Sequence, residues 1–245
     1  MLEVKNVTKR FGGLVAVNDV TFTVNEGEVV GLIGPNGAGK TTLINLICGV
    51  YKPDNGSIFF EGKEITGLAP NKICHVGISR TYQIPKPFEA MTALSAVLVS
   101  VLNGKKRSHM SLPDAVMEAS YYLEFVGLFS KRDTLARDLN LYELRMLELA
   151  RALATTPRLL LLDETMAGLN PKEADAALEM IWSAQEQFAV TILWIEHVMK
   201  IIMKATQRVV VLHYGQKIAE GPPVEIIRDP RIIEAYLGVK YAQNL

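Results

Sequence analysis

Apolar and polar positions alternate in short segments at the start of the chain. Val4, Val7, Val20, Phe22 and Val24 fall on the apolar side, the period of antiparallel strands with one buried face. The pattern then changes. Val29-Val30-Gly31-Leu32-Ile33 is apolar throughout and predicts a strand buried on both faces. Lys52-Pro53-Asp54-Asn55-Gly56 is a turn signal, followed by a strand at Ser57-Ile58-Phe59-Phe60. From about Phe88 to Ala154 the period becomes helical, with segments near 92–102, 113–126 and 142–154. Ser111 is placed to start the second of these, with Pro113 early in the helix. Alternation of strand and helix resumes with the apolar run Leu159–Leu162, a helix over 171–187 opened by Pro171, and a strand at Val190–Ile195. A helix near 198–204 and a strand at Arg208–Leu212 follow. Tyr214-Gly215-Gln216 reads as a turn, and Pro222-Pro223 opens a helical tail that runs to Gly238. The order predicts an α/β core, residues 1–87 and 156–245, interrupted by a helical subdomain at 88–155.

One segment gives the core a chemistry. Gly34-Pro35-Asn36-Gly37-Ala38-Gly39-Lys40-Thr41-Thr42 fits G-x-x-x-x-G-K-[ST]. It lies between the predicted strand at Val29–Ile33 and a predicted helix from Lys40 to Gly49, the context that phosphate-binding loops require. Glycine lets successive backbone N–H groups turn inward onto phosphate oxygens, and the helix start adds partial positive charge there. Lys40 is placed to reach the β- and γ-phosphates, and the Thr41 hydroxyl to ligate Mg²⁺. The class is therefore α/β with a P-loop nucleotide-binding core, a mixed sheet, antiparallel N-terminal strands and an inserted helical subdomain.

Composition narrows the class without changing it. The 245 residues carry 26 Lys+Arg against 26 Asp+Glu, so there is no global basic field of the kind nucleic-acid binders use. The short basic cluster Lys105-Lys106-Arg107 reads as a solvated loop. Cys48 and Cys74 lack metal-ligand spacing and predict buried thiols in a reducing compartment. The apolar stretch Met91–Leu102 is too short to span a bilayer, and the start of the chain lacks a leader pattern. The expectation is a cytoplasmic protein whose membrane role, if any, runs through a separate spanning partner.

Hydrolysis needs more than a phosphate loop: a carboxylate for the metal and a group that activates water. Asp163-Glu164 ends the Leu159–Leu162 strand, at the sheet edge where open parallel sheets bind ligands. Asp163 suits the Mg²⁺ shell and Glu164 the general base. His197 ends the next strand in the same way, placed for the γ-phosphate. Gln83 follows a short strand at Ile78–Tyr82, and its neutral amide suits Mg²⁺ or the attacking water.

Taken together, these segments resemble the nucleotide-binding subunit of ABC transporters over nearly the whole chain. The resemblance implies that Gly34–Thr42 is the Walker A loop, Leu159–Glu164 the Walker B strand with its catalytic glutamate, Gln83 the Q-loop and His197 the H-loop. It implies a D-loop at Ala167-Gly168-Leu169-Asn170 and an adenine-stacking role for Phe11. The family's signature loop, Leu-Ser-Gly-Gly-Gln, falls here on Leu139-Asn140-Leu141-Tyr142-Glu143, without either glycine. In the family that loop closes over ATP held by a partner subunit. The expectation is that this chain's own loop is competent and that the site it completes in its partner is weakened. Glu143 is expected to add negative charge beside that polyphosphate, while Asn140 retains an amide donor. Thr165 and Asn170 are milder departures, at positions where the family has Pro and Asp.

Narrower resemblances lie at Gly77–Gln83, Trp194–Met199 and Ala219–Gly238, which are similar to the ATPases of branched-chain amino acid importers. That implies ATP and Mg²⁺ as cofactors and a second ATP-binding subunit, with a heterodimer favoured and a homodimer possible. It also implies two integral membrane permeases and, indirectly, a solute-binding protein, on the inner face of the cell membrane. Pro87, Phe88 and Met91 are the expected docking residues for the permeases. Branched-chain or related amino acids, or small amides such as urea, are the implied solutes. A regulatory nucleotide-binding subunit with little hydrolysis, a non-transport ABC ATPase and an exporter are the alternatives.

Overall fold

The alternating start of the chain becomes a hairpin in which β1 (Leu2–Phe11) pairs antiparallel with β2 (Leu14–Val24). The structure is a computed structural model describing residues 1–104, 110–196 and 199–237. Its chain divides into two units, Met1–Ile73 with Thr191–Leu245, and Cys74–Val190.

In the first unit, β3 (Val29–Ile33) is buried at every residue and leads through the glycine-rich loop into α1 (Lys40–Ile47). β4 (Asn55–Phe60) joins the hairpin beside β1 and is extended by β5 (Lys63–Glu64). The chain leaves this unit within α2 (Pro70–Val76).

The second unit opens with β6 (Ile78–Arg80), followed by α3 (Ala93–Asn103), α4 (Leu112–Phe125) and α5 (Leu141–Leu153). It closes with β7 (Leu159–Asp163), paired in parallel with β6, and α6 (Pro171–Phe188). The caps explain the helix starts. Ser111 accepts the Asp114 N–H at the head of α4, with Pro113 inside the first turn, and Asn170 forms a reciprocal capping box with Glu173 before Pro171.

Back in the first unit, β8 (Thr191–Ile195), α7 (Met199–Ala205) and β9 (Arg208–His213) complete the alternation. β3 runs between β8 and β9, parallel to both, with Val30 opposite Leu193 and Leu32 opposite Val210. Two neighbours and two covered faces account for its uninterrupted apolar run. β10 (Gln216–Gly221) adds an antiparallel edge to β9, so the sheet is mixed. α8 (Pro223–Ile226) and α9 (Pro230–Leu237) end the described chain. Ile226 and Ile232 pack with Ile33, Ile202, Val209 and Val211, so the tail buttresses the strand end that launches the glycine-rich loop. No helix among the described residues is long and apolar enough to cross a membrane.

α2 and β5 form where the sequence pattern predicts no element, and β10 starts inside the predicted turn at Tyr214–Gln216. β10 is an edge strand whose Lys217 and Glu220 form an ion pair 2.6 Å long, so it lacks the apolar alternation that identifies a half-buried strand.

Candidate functional site

The glycine-rich loop is held from two sides by backbone. Gly215, in the turn between β9 and β10, donates its N–H to Ala38 O at 3.0 Å and accepts from Asn18 N at 2.8 Å. At Gly39, where φ is 99°, a Cβ would lie 2.3 Å from Ala16 O, and at Gly34 a Cβ would lie 2.1 Å from Leu212 O. β2 and the end of β9 therefore approach the loop more closely than any side chain permits. Gly39 is the N-cap of α1 and supplies no side-chain cap, and the first turn holds no acidic residue. The helix thus presents its N–H groups and dipole outward, an arrangement suited to an anion. Lys40 is buried and donates from Nζ to Gly34 O at 2.7 Å and Pro35 O at 3.0 Å, which lays its ammonium over the start of the loop. Thr41 is exposed.

Phe11, at the end of β1, is half-exposed, with its ring edge-on to Tyr51 at 5.2 Å and the Lys9 ammonium 5.5 Å from its centroid.

The second unit gathers the acidic residues. β6 and β7 end at the same edge, and Thr81 N donates to Leu161 O at 3.0 Å to extend their ladder. Asp163, the last residue of β7, is buried and receives Arg80 Nη2 at 2.8 Å. Its charge is met by a guanidinium from the adjacent strand, a partner that the sequence motifs did not indicate. The next residue, Glu164, adopts a left-handed backbone at φ 47°, a conformation that costs a non-glycine residue about 1–3 kcal/mol and clusters at functional positions. Its Oε2 accepts from Gln83 Nε2 at 2.6 Å. Two residues 81 positions apart in sequence, each singled out for hydrolysis, are therefore in direct contact. His197 lies outside the described residues.

The altered loop is a helix cap. Asn140 is the N-cap of α5; its Oδ1 accepts Glu143 N at 2.9 Å, while Glu143 Oε2 accepts Asn140 N at 3.0 Å. Glu143 also pairs with Lys131. Burial raises the Glu143 carboxyl, but hydrogen bonds from Lys131 and Asn140 outweigh it and hold the group below its usual value. The Glu143 carboxylate is thus engaged within the chain by Lys131 and the Asn140 N–H, and the Asn140 Oδ1 serves as an acceptor for the Glu143 N–H. Leu139 is buried, and Leu141 packs over Gly168. Burial and the nearby Glu173 push the Tyr142 phenol up.

Phe88 and Met91 lie at the surface, and the Arg151 guanidinium covers the Phe88 ring at 4.5 Å. The motif reading assigns no site role to Arg80, Arg145, Glu148 or Arg151. Charged residues on a helix or strand read as solvent-facing until a fold buries them.

Comparison with known proteins gives two family matches. Residues 17–167 fit the model described as "ABC transporter", and residues 216–242 fit "Branched-chain amino acid ATP-binding cassette transporter". The chain is 42% identical over 249 aligned residues to the "High-affinity branched-chain amino acid transport ATP-binding protein BraF" of Pseudomonas aeruginosa, covering 97% of this chain and 98% of that protein. It is 38% identical, at the same coverage, to the corresponding protein LivG of Escherichia coli. Among solved structures, the ADP conformation of MJ1267, an ATP-binding cassette of an ABC transporter, superposes with a TM-score of 0.88 at 33% identity. That match covers 97% of this chain and 98% of the other.

Proposed function

We propose, on the premise that the chain belongs to the ABC transporter family, that it is the ATP-hydrolysing motor subunit of an importer for branched-chain or related amino acids. In this reading the loop at Gly34–Thr42 cradles the triphosphate, with Lys40 on the β- and γ-phosphates, and Phe11 stacks on the adenine. Glu164 is the general base, Gln83 and His197 orient water and sense the γ-phosphate, and residues 88–155 act as the signature subdomain on a core of 1–87 and 156–245. The observation that carries the hydrolytic role is the 2.6 Å contact of Gln83 with Glu164, which holds a neutral amide donor against the carboxylate. The donors assigned to Mg²⁺, the Thr41 hydroxyl, the Gln83 amide oxygen and the Asp163 carboxylate, are all hard oxygens and fit that ion. When bound, Mg²⁺ offsets phosphate charge.

The partners in this reading are a second ATP-binding subunit and two integral permeases, with a solute-binding protein engaged indirectly at the inner face of the membrane. Branched-chain amino acids are the favoured solutes because the relatives' names specify them; small amides such as urea are the alternative. Pro87, Phe88 and Met91 form the permease contact. Reconstitution with the two permeases and the binding protein tests the whole assignment. The wild-type complex is expected to accumulate labelled leucine in an ATP-dependent manner. Phe88→Asp should abolish uptake while ATP binding persists, because a carboxylate in an apolar contact is costly to desolvate. Normal uptake by that variant would remove Phe88 from the interface.

The cap at Asn140–Glu143 favours asymmetry between two ATP sites. With Leu141 and Tyr142 in place of glycine, and the α5 start occupied by its own carboxylate, this chain offers a poor closing surface to a partner's γ-phosphate. The triple variant Asn140→Ser, Leu141→Gly, Tyr142→Gly is expected to raise turnover of the chain alone by about tenfold, since individual donors to a developing charge are worth at least that much. Its melting temperature should fall, because each glycine in the first helical turn costs roughly 0.5–1 kcal/mol. Unchanged turnover, alone and with the second ATP-binding subunit, would overturn the asymmetry.

A further inference from the structure

α5 carries three charged residues on its inward face, Arg145, Glu148 and Arg151, at the i, i+3, i+6 spacing of one helical stripe. Arg145 and Glu148 are buried, and Arg151 is partly so. Each holds backbone of the segment after β6. Arg145 Nη1 donates to Tyr82 O at 2.8 Å, and its Nη2 to Gln83 O at 2.6 Å. Glu148 Oε1 accepts Lys86 N at 3.2 Å. Arg151 Nη1 donates to Lys86 O at 3.1 Å, and its plane lies over Phe88.

Arg145 reaches a second segment as well. The same Nη2 that bonds Gln83 O also donates to Ala167 O at 3.2 Å. Ala167 belongs to the turn after Glu164, whose carbonyl accepts Ala167 N at 3.2 Å. One guanidinium therefore ties the strand extension that carries Gln83 to the turn that carries Glu164. A planar fork with fixed donor directions suits convergent carbonyls in a way a single ammonium does not.

We propose that Arg145 is a positioning residue for hydrolysis: it fixes the Gln83 and Glu164 segments to each other, and the charged stripe of α5 links that pair to the exposed segment at 82–88. Arg145 acts on the reaction through the backbone of these two segments. Glu164 sits in a left-handed conformation that needs surrounding contacts to persist, and Arg145 supplies one of them at Ala167. A shift of the 82–88 segment would be carried by Arg151, Glu148 and Arg145 along the helix to its N-terminal turn. The inference rests on the hydrolytic roles given to Gln83 and Glu164 above.

The test uses the full-length chain with Arg145→Gln and Arg145→Lys, read by hydrogen exchange, nucleotide affinity and turnover. Arg145→Gln is expected to raise exchange in peptides covering 82–88 and 164–169 by about tenfold or more, the signature of local release. Turnover should fall by about tenfold, with affinity for a non-hydrolysable ATP analogue within about twofold of wild type, the pattern of lost geometry rather than lost binding. Arg145→Lys keeps the charge and the aliphatic stem, and serves if the Gln variant does not fold. It should still loosen 164–169, since one ammonium replaces the fork. Unchanged exchange in both segments for a folded variant would overturn the clamp. Raised exchange with unchanged turnover would overturn its catalytic relevance. Failure of the earlier reading shows separately, as retained turnover in a Glu164→Gln variant whose exchange is normal.

Discussion

Glu164→Gln should lower steady-state ATP turnover by about 10²–10³-fold, within the range of a lost general base, while ATP binding persists. The side chains are nearly isosteric, and the new amide oxygen still accepts the Gln83 Nε2 hydrogen bond now 2.6 Å long. The left-handed backbone at φ 47° is unaffected in kind. What changes is basicity, since an amide cannot take a proton from water. The phosphate loop belongs to the other unit of the chain and keeps its own supports. Single-turnover hydrolysis and equilibrium binding of labelled ATP, measured on the same preparation, check both halves. Turnover above about a tenth of wild type, a loss under 1.4 kcal/mol, would transfer the base to another group.

Gly39→Ala should destabilise the phosphate loop by about 2–5 kcal/mol, combining left-handed strain with overpacking. The cause is local: at φ 99° the new Cβ would stand 2.3 Å from Ala16 O, a backbone atom of β2 that cannot rotate away. Either β2 or the α1 start must move, and the second displaces Lys40 and Thr41. Nucleotide affinity should fall by about tenfold or more, since 1.4 kcal/mol of displacement suffices. Gly37→Ala is the control for stability. Its φ is 80°, but no atom lies within 4 Å of the added Cβ, so strain of about 1–2 kcal/mol acts alone. Thermal unfolding should order the variants wild type, Gly37→Ala, Gly39→Ala. A reversed order would mean that the loop is not set by its contact with β2.

Much of the site was legible because its signals are local. A phosphate loop needs its glycines, its lysine and its hydroxyl within nine residues, and a strand and helix on either side. Asp163 and Glu164 close an apolar run, so their edge position follows from the run itself. Gln83 was weaker: an amide after a short strand has no chemistry until Glu164 is beside it. The altered loop at Leu139–Glu143 was visible as missing glycines, but its cap was not. That Asn140 and Glu143 satisfy each other, and that Lys131 meets the remaining charge, depends on where α5 begins in space.

Among the elements, buried strands and capped helices were recovered because burial forces periodicity and caps force residue type. β10 escaped because an edge strand is half solvated and tolerates charge. The charged stripe of α5 escaped for the opposite reason, since local pattern assigns Arg and Glu to solvent.

The amino-acid sequence alone determined the class of the protein, its phosphate loop and the carboxylates at a strand end, all features whose parts lie within a few residues of one another. The tertiary structure alone decided which partners those residues have. Arg80 meets Asp163 across 83 positions, Gln83 meets Glu164 across 81, and Arg145 joins Gln83 to Ala167 across 62 and 22. Such contacts are set by strand register and helix packing, because a buried charge must find its carbonyl or counter-ion wherever the fold places one.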